Sequence, residues 1–468
     1  MTSSKSGGGF SFRAIGKTGS RVFLNKYSYL FLFCVACAIS VAGWEVYGAL
    51  AFVGLICLSL IFCDDIMAAA LPLLLLCVFV TNCYDSADTF LKYAWMAIPA
   101  ALSIIFHFVF YRQRIVIGKS IWGLIAVSLA VTLGGLGVIT AEEYFSPVAI
   151  YYTVFLGVGM VALYILLKSQ LSAARDYDLL ERAVTFLYIM GIFAAFVVLY
   201  NVLPDTKFAG GFTLVENFQP SNNLSTVLMF AMPCTFYFAR KNPLHIVSAL
   251  VMASSMVLSG SRSGIIFAVV EFILCIVVSA IFHKERRFTY ICVIIGIAVV
   301  IAIFRQNIMS VIESSGIYPV IDGGETRMKL IDRAVEYYKK YPLFGHGLAY
   351  TGNFDIYSPK KGAMGWYHMM IPQIVASMGS VGIIAYLYQG VVQARVFFGA
   401  MRRSRADRKT RALTVTLVLS YVGVLMMSQV NPGIFCPIPY GLMATVIFAL
   451  IDGDREIERV SRMLKKDK

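Results

Sequence analysis

Charge is what this chain has least of. Aspartate, glutamate, lysine and arginine together supply 14% of 468 residues, and histidine occurs only five times. With 59% hydrophobic residues and a mean hydropathy of +0.75, there is too little polar sequence to cover a soluble globule. Long polar stretches are missing as well: between the termini only one, from about Arg305 to Tyr367, interrupts the apolar sequence. The short alternating strands of a membrane β-barrel are absent. In their place stand uninterrupted apolar runs of about 17 to 25 residues, each long enough to cross a hydrocarbon core of roughly 30 Å as a helix. The expected class is an all-α, polytopic integral membrane protein.

A disulfide framework is lacking too. Most of the ten cysteines, Cys34, Cys57, Cys77, Cys275 and Cys292 among them, lie inside apolar runs, where a thiol behaves as a small hydrophobe. Cys34-Val-Ala-Cys37 has redox-motif spacing, but it falls within a spanning run and has no βαβ pattern around it. No metal and no cofactor is expected. The net charge of +14 does not mark a nucleic-acid surface, because most of the cations sit in short segments between apolar runs, where they retain loops in the cytoplasm. A small-residue cleavage site after the first run is also missing. Residues 1–26, with Gly7, Gly8, Gly9 and the cations Lys5, Arg13, Lys17, Arg21 and Lys26, therefore read as a flexible basic cytoplasmic arm and not as a signal peptide.

Apolar runs occur at about 28–43, 46–63, 66–82, 91–110, 119–139, 147–167, 183–203, 222–239, 244–259, 263–282, 288–304, 367–394, 412–429 and 435–451. That makes about fourteen spans. With the basic arm inside, alternate loops carry Arg112/Arg114/Lys119, Lys168/Arg175/Arg182, Arg240/Lys241, His283 to Arg287 and the dense stretch Arg402 to Arg411, and the positive-inside pattern holds. Both termini are then cytoplasmic. The organisation expected is an arm (1–26), a transmembrane bundle (27–304), a long extracytoplasmic loop (305–367), further spans (368–451) and a tail (452–468). The spans read as nearly free of charged residues, which disfavours a lipid-linked oligosaccharide flippase or other transporter with a polar path through the bundle.

Two outward stretches carry candidate chemistry. In Ser259-Gly260-Ser261-Arg262-Ser263-Gly264 an arginine stands between two apolar runs, where it must pair, reach water or lipid phosphates, or bind an anion. Its serines offer hydroxyls, and its glycines allow close approach to the backbone. In the loop, Glu325 to Tyr341 reads as an amphipathic helix with Met328, Ile331, Val335 and Tyr338 on its apolar stripe, able to lie on the membrane or cap the bundle. Arg327 stands near its N-terminus, where an anionic ligand is favoured. Pro342, Gly345 and Gly347 end that helix, leaving His346 on a turn. His368 opens an apolar helix at a water boundary, where an imidazole can accept a proton near neutral pH or serve as a belt residue beside Trp366 and Tyr367. Asp85 and Asp88 have D-x-x-D spacing, a weaker candidate. Asn223-Leu-Ser225 matches a glycosylation sequon but abuts a span.

Together these residues resemble bacterial O-antigen ligases and the related O-antigen and capsule polymerases. The resemblance covers about residues 180–450 and is carried by Pro220-Ser-Asn222-Asn223, Ser259-Gly-Ser-Arg262, Arg327 with Pro342-x-x-Gly345-x-Gly347, and His368 with Gly379-x-x-Gly382. It implies a GT-C-like membrane glycosyltransferase moving a glycan from a polyprenyl-diphosphate donor to an acceptor glycan or glycolipid. Arg262 and Arg327 would neutralise the diphosphate and His368 would be the base, with Ser261, Ser263, His346, Asn222 and Asn223 as substrate contacts. Fourteen spans exceed the family core, and the loop is short for a ligase with a large lipid acceptor.

Overall fold

The computed structural model describes residues 12–82, 93–111, 115–135, 153–171, 177–202, 221–282, 286–303, 305–306, 324–348, 367–430 and 438–452. Among them no strand occurs. The helices are α1 (Phe12–Phe23), α2 (Lys26–Val41), α3 (Glu45–Phe62), α4 (Met67–Asn82), α5 (Ala97–Tyr111) and α6 (Ile121–Gly135). A π-helical turn, Phe155–Gly159, leads into α7 (Met160–Leu171), followed by α8 (Leu179–Val202), α9 (Ser221–Ala239), α10 (His245–Leu258) and α11 (Arg262–Phe282). The chain continues with α12 (Arg287–Ile303), α13 (Gly324–Lys340), α14 (Met370–Arg403), α15 (Arg408–Met427) and α16 (Ile438–Ile451).

Each of the fourteen apolar runs holds a helix. By length and composition five are able to cross a membrane, six if the pair Ala14–Phe23 and Lys26–Val41, bent by 61°, counts as one; seven more are shorter apolar helices. The expected basic arm is helical from Phe12 and docks on the bundle: Gly16 lies against Tyr111, and Ser20 donates to Asp64 at 2.6 Å. Local chemistry sets several helix starts. Asn25 accepts from the Tyr27 amide, Asp178 from the Glu181 amide at 3.0 Å, and Asp407 from the amides of Lys409 and Thr410, each filling orphan donors of a first turn.

The core is built around α9, which packs on α8, α10, α11 and α15 and is buried along nearly its whole length. Helices in lipid associate through close packing more than through hydrophobic drive, so small residues decide where they meet. Gly191 of α8 shows this, seated against Ala231 of α9 and Met252 of α10. On α11 the opposite stripe, Ile266, Val269, Val270, Ile273, Val277 and Ile281, is exposed, as a lipid-facing surface would be.

The basic loops share one end of the bundle. Lys409 pairs with Asp178 at 2.6 Å and Glu181 at 2.5 Å, Lys241 pairs with Glu181 at 3.0 Å, and Arg286 donates to the carbonyls of Arg240 and Lys241. Tyr177 ties the same end to the turn before α4 through Asp65 at 2.5 Å. The starts of α9, α11, α14 and α16 and the end of α15 lie at the other end, where the candidate residues stand.

The spans are not as free of charge as their sequence suggests. Glu271 in α11 and Lys168 in α7 are both buried. A lone acid or base inside a run barely alters its mean hydropathy, so a run-by-run reading passes over it.

Candidate functional site

Two clusters form at this end. The first joins the start of α9 to the turn between α10 and α11. Asn222 Oδ1 accepts from the hydroxyls of Ser261, at 2.5 Å, and Ser263, at 3.2 Å, while Ser261 Oγ also accepts from the Gly264 amide at 2.9 Å. Gly260 makes the turn with φ +73°, a conformation that costs a side chain about 1–2 kcal/mol. Gly264 offers no opening to a ligand, because a Cβ there would stand 2.6 Å from Ser225 Oγ and 2.7 Å from Ser261 Oγ. The closeness its missing side chain allows is used by the protein's own hydroxyls. Asn223 offers its carbonyl to the Tyr440 hydroxyl of α16. The turn delivers Arg262 as the first residue of α11.

The second cluster surrounds a break in α14. At Gly379 the backbone leaves the helix (φ 58°, ψ −150°), which removes two rungs of the hydrogen-bond ladder. The 342–347 turn replaces them. The amides of Ser380 and Val381 donate to the carbonyls of Pro342, at 2.8 Å, and Leu343, at 3.1 Å; the carbonyls of Ala376 and Ser377 accept from His346, at 2.8 Å, and Gly347, at 3.2 Å. Four orphaned groups are thereby satisfied. Gly345 (φ 71°) and Gly347 (φ 102°) bend the turn into this position, and a Cβ on Gly345 would collide with the backbone of Ser377 and Met378.

His346 is 5% exposed, its ring stacked between Tyr337 (centroids 5.0 Å apart) and Tyr341 (4.5 Å). Burial, assisted by the Lys340 charge, lowers its pKa from the usual value. The α13 helix bearing these tyrosines packs on α14 and caps the bundle. Its buried face is Leu330 and Ala334, with Tyr337 beside them, against Tyr367 and Ala376. Met328 and Val335, expected on the apolar stripe, are exposed at 53% and 42%. The small Ala334 lets α14 approach closely, so the helix turns one residue from the stripe that counting hydrophobes selects.

His368 precedes α14 and takes a left-handed conformation, φ 50°. Its neighbours are pinned on both sides. The Tyr367 amide donates to Gln373 Oε1 at 3.0 Å, Gln373 Nε2 donates to Ser377 Oγ at 2.8 Å, and the Met370 amide donates to the Ser428 carbonyl, at the end of α15, at 2.9 Å. Such backbone strain persists only where surroundings over-determine it, and it concentrates at functional positions.

Arg262 and Arg327 stand on described helices, α11 and α13, but their side chains lie outside the described residues, as do Asp85, Asp88 and the remainder of the 305–367 loop. Cys34 and Cys37 are free thiols on α2. Among the described residues no group of three or more His, Cys, Asp or Glu is arranged to hold a metal ion.

The span that contains the serine-arginine turn, α13, the glycine turn and His368 is the region in which the chain resembles a known family. Residues 247–387 match the O-Antigen ligase family. No curated protein matches the chain. The family region includes Arg262, Arg327, His346 and His368 but stops short of Asn222, which the fold supplies to it from α9. Reasoning from sequence missed Gln373, whose role is visible only through its two partners, and Glu271, whose signal was an acid inside an apolar run.

Proposed function

We propose that the protein is a GT-C-like membrane glycosyltransferase that polymerises or ligates a polyprenyl-diphosphate-linked surface polysaccharide, with its site on the outer face of a bacterial cytoplasmic membrane. The observation that carries this reading is the pinned, left-handed His368 within a region matching the O-Antigen ligase family. Fourteen spans with both termini cytoplasmic suit it, because the basic loops gather at the end opposite His368. Nucleotides are absent outside, so a lipid diphosphate must supply both the energy and the leaving group.

In this mechanism an acceptor hydroxyl oxygen bonds to the anomeric carbon as the bond from that carbon to the phosphate oxygen breaks. His368 takes the hydroxyl proton as general base. Arg262 and Arg327 meet the charge that accumulates on the departing diphosphate, a task suited to their forked donors and to the first turn of a helix. Asn222, held by Ser261 and Ser263, shapes the turn that presents Arg262; Asn222 and Asn223 at the start of α9 and His346 in the glycine turn border the substrate region. Inversion at the anomeric carbon is implied by the resemblance. The acceptor is a second glycan or a glycolipid.

Transfer from a polyprenyl-diphosphate-linked glycan by purified protein in lipid tests the reading. Wild type is expected to form product whose size separates polymerase from ligase, and Arg262→Ala, Arg327→Ala and His368→Ala are expected to lose it at matched folding. Full turnover in the three variants would sink the site. The second reading, a lipid-linked oligosaccharide flippase, draws on Glu271, a buried acid of the kind that transport paths use. Glycan-lipid translocation without covalent product would favour it.

A further inference from the structure

Glu271 lies within α11, nine residues past the turn that carries Arg262 and therefore about 13 Å along the helix axis. It is 1% exposed, and neither carboxyl oxygen has a hydrogen-bond partner among the described residues. Its side chain reaches α15 where that helix has no side chain of its own: a Cβ on Gly423 would overlap Glu271 Oε1 and stand 3.3 Å from the carbonyl oxygen of Met229 in α9. That carbonyl is unusual. In a helix it accepts from the amide four residues on, and here that residue is Pro233, which has no N–H.

Two oxygens from different helices thus converge on the surface of Gly423, and neither can donate unless a hydrogen is present. An ionised carboxylate beside a carbonyl dipole in so dry a place would have nothing to compensate its lost hydration. The surroundings supply no cation. Cys234 of α9 and Cys275 of α11 face the same interior, both fully buried. Ser420 of α15 gives its hydroxyl to the Thr416 carbonyl at 3.1 Å, and Tyr421 turns toward Phe397 and Phe448. The contact at Gly423 is too tight for a hydrated ion or for the six or so oxygens a metal cation gathers.

We propose that Glu271 is a proton-binding site: a carboxylic acid that keeps its proton in the membrane interior, directs it at the Met229 carbonyl left over by Pro233, and so joins α11 to α9 and α15 beneath the Asn222–Ser261 turn. Gly423 is what lets the acid reach across. The proton at Glu271 is independent of what the Arg262 end transfers, so failure of the glycosyl-transfer reading leaves it standing.

Infrared spectra of the full-length protein in lipid nanodiscs near pH 7.5, in H2O and D2O, test it. Ordinary carboxyls are ionised at that pH. Wild type is expected to show a protonated-acid carbonyl stretch that shifts in D2O and is lost in Glu271→Gln, a neutral donor of the same shape that keeps the melting temperature. Pro233→Ala, which returns an amide donor to Met229, is expected to move the band to higher frequency. Only carboxylate bands in the wild type would overturn the proposal without recourse to any variant. So would a sodium-dependent rise in melting temperature that Glu271→Gln abolishes, since the occupant would then be a metal cation.

Discussion

The amide of His346 bonds the Ala376 carbonyl at 2.8 Å, occupying the place in the α14 ladder that the amide of Ser380 vacates when it turns to Pro342. The exchange explains why a turn written Pro342-x-x-Gly345-x-Gly347 accompanies a helix written Gly379-x-x-Gly382. One segment mends the break in the other. Because His368 begins the same helix and Arg327 belongs to the helix preceding the turn, the mend also fixes how those two elements meet.

Gly345→Ala and Gly379→Ala should each destabilise the protein by about 2–4 kcal/mol, from left-handed strain together with overlap against backbone that cannot give way. Gly390→Ala, on the same helix with nothing within 4 Å of the added carbon, should melt like wild type. Thermal unfolding in detergent checks all three, and equal melting temperatures would remove the mend from the account.

His368→Gly separates strain from chemistry. Glycine accepts φ 50° without cost, so the variant should melt no lower than wild type, and up to about 1 kcal/mol more stably, while transfer is lost. Comparing melting with product formation decides it; retained product would mean that the imidazole is not the base.

Asn222→Ala removes the acceptor shared by Ser261 and Ser263. Two hydrogen bonds at about 0.5–1.5 kcal/mol each correspond to a drop in transfer of roughly five- to hundredfold if the turn presents Arg262. Asn222→Asp retains an acceptor oxygen and should recover most of the rate. Steady-state transfer measurements show whether it does.

The His346 imidazole, with its pKa held below the usual 6.5, takes up a proton more readily when the protein is unfolded. Linkage then makes the folded state lose stability as pH falls below about 6.5, the loss continuing down to the folded value. His346→Phe retains a ring between Tyr337 and Tyr341 but cannot titrate. Its melting temperature should fall less steeply from pH 7 to pH 5 than that of wild type, and parallel curves would rule the histidine out as the cause.

All fourteen apolar runs became helices, and the basic loops gathered at one end, because hydrophobic length and cation placement act locally along the chain. The glycine turn after α13 was equally legible, since Pro342, Gly345 and Gly347 limit their own backbones. What sequence could not settle was who meets whom. The buried face of α13 runs through Leu330 and Ala334 and not Met328 and Val335, since packing rewards close approach of backbones and not hydrophobicity alone. Asn222 was read as a substrate contact before it could be seen holding two serines 39 and 41 residues away. Glu271 passed as one acid in an apolar run until α9 and α15 brought a leftover carbonyl and a bare glycine to it. Local preference decides which segments are helices and where they turn; the partners of a polar group inside them follow from close packing among distant helices, a property of the assembled bundle.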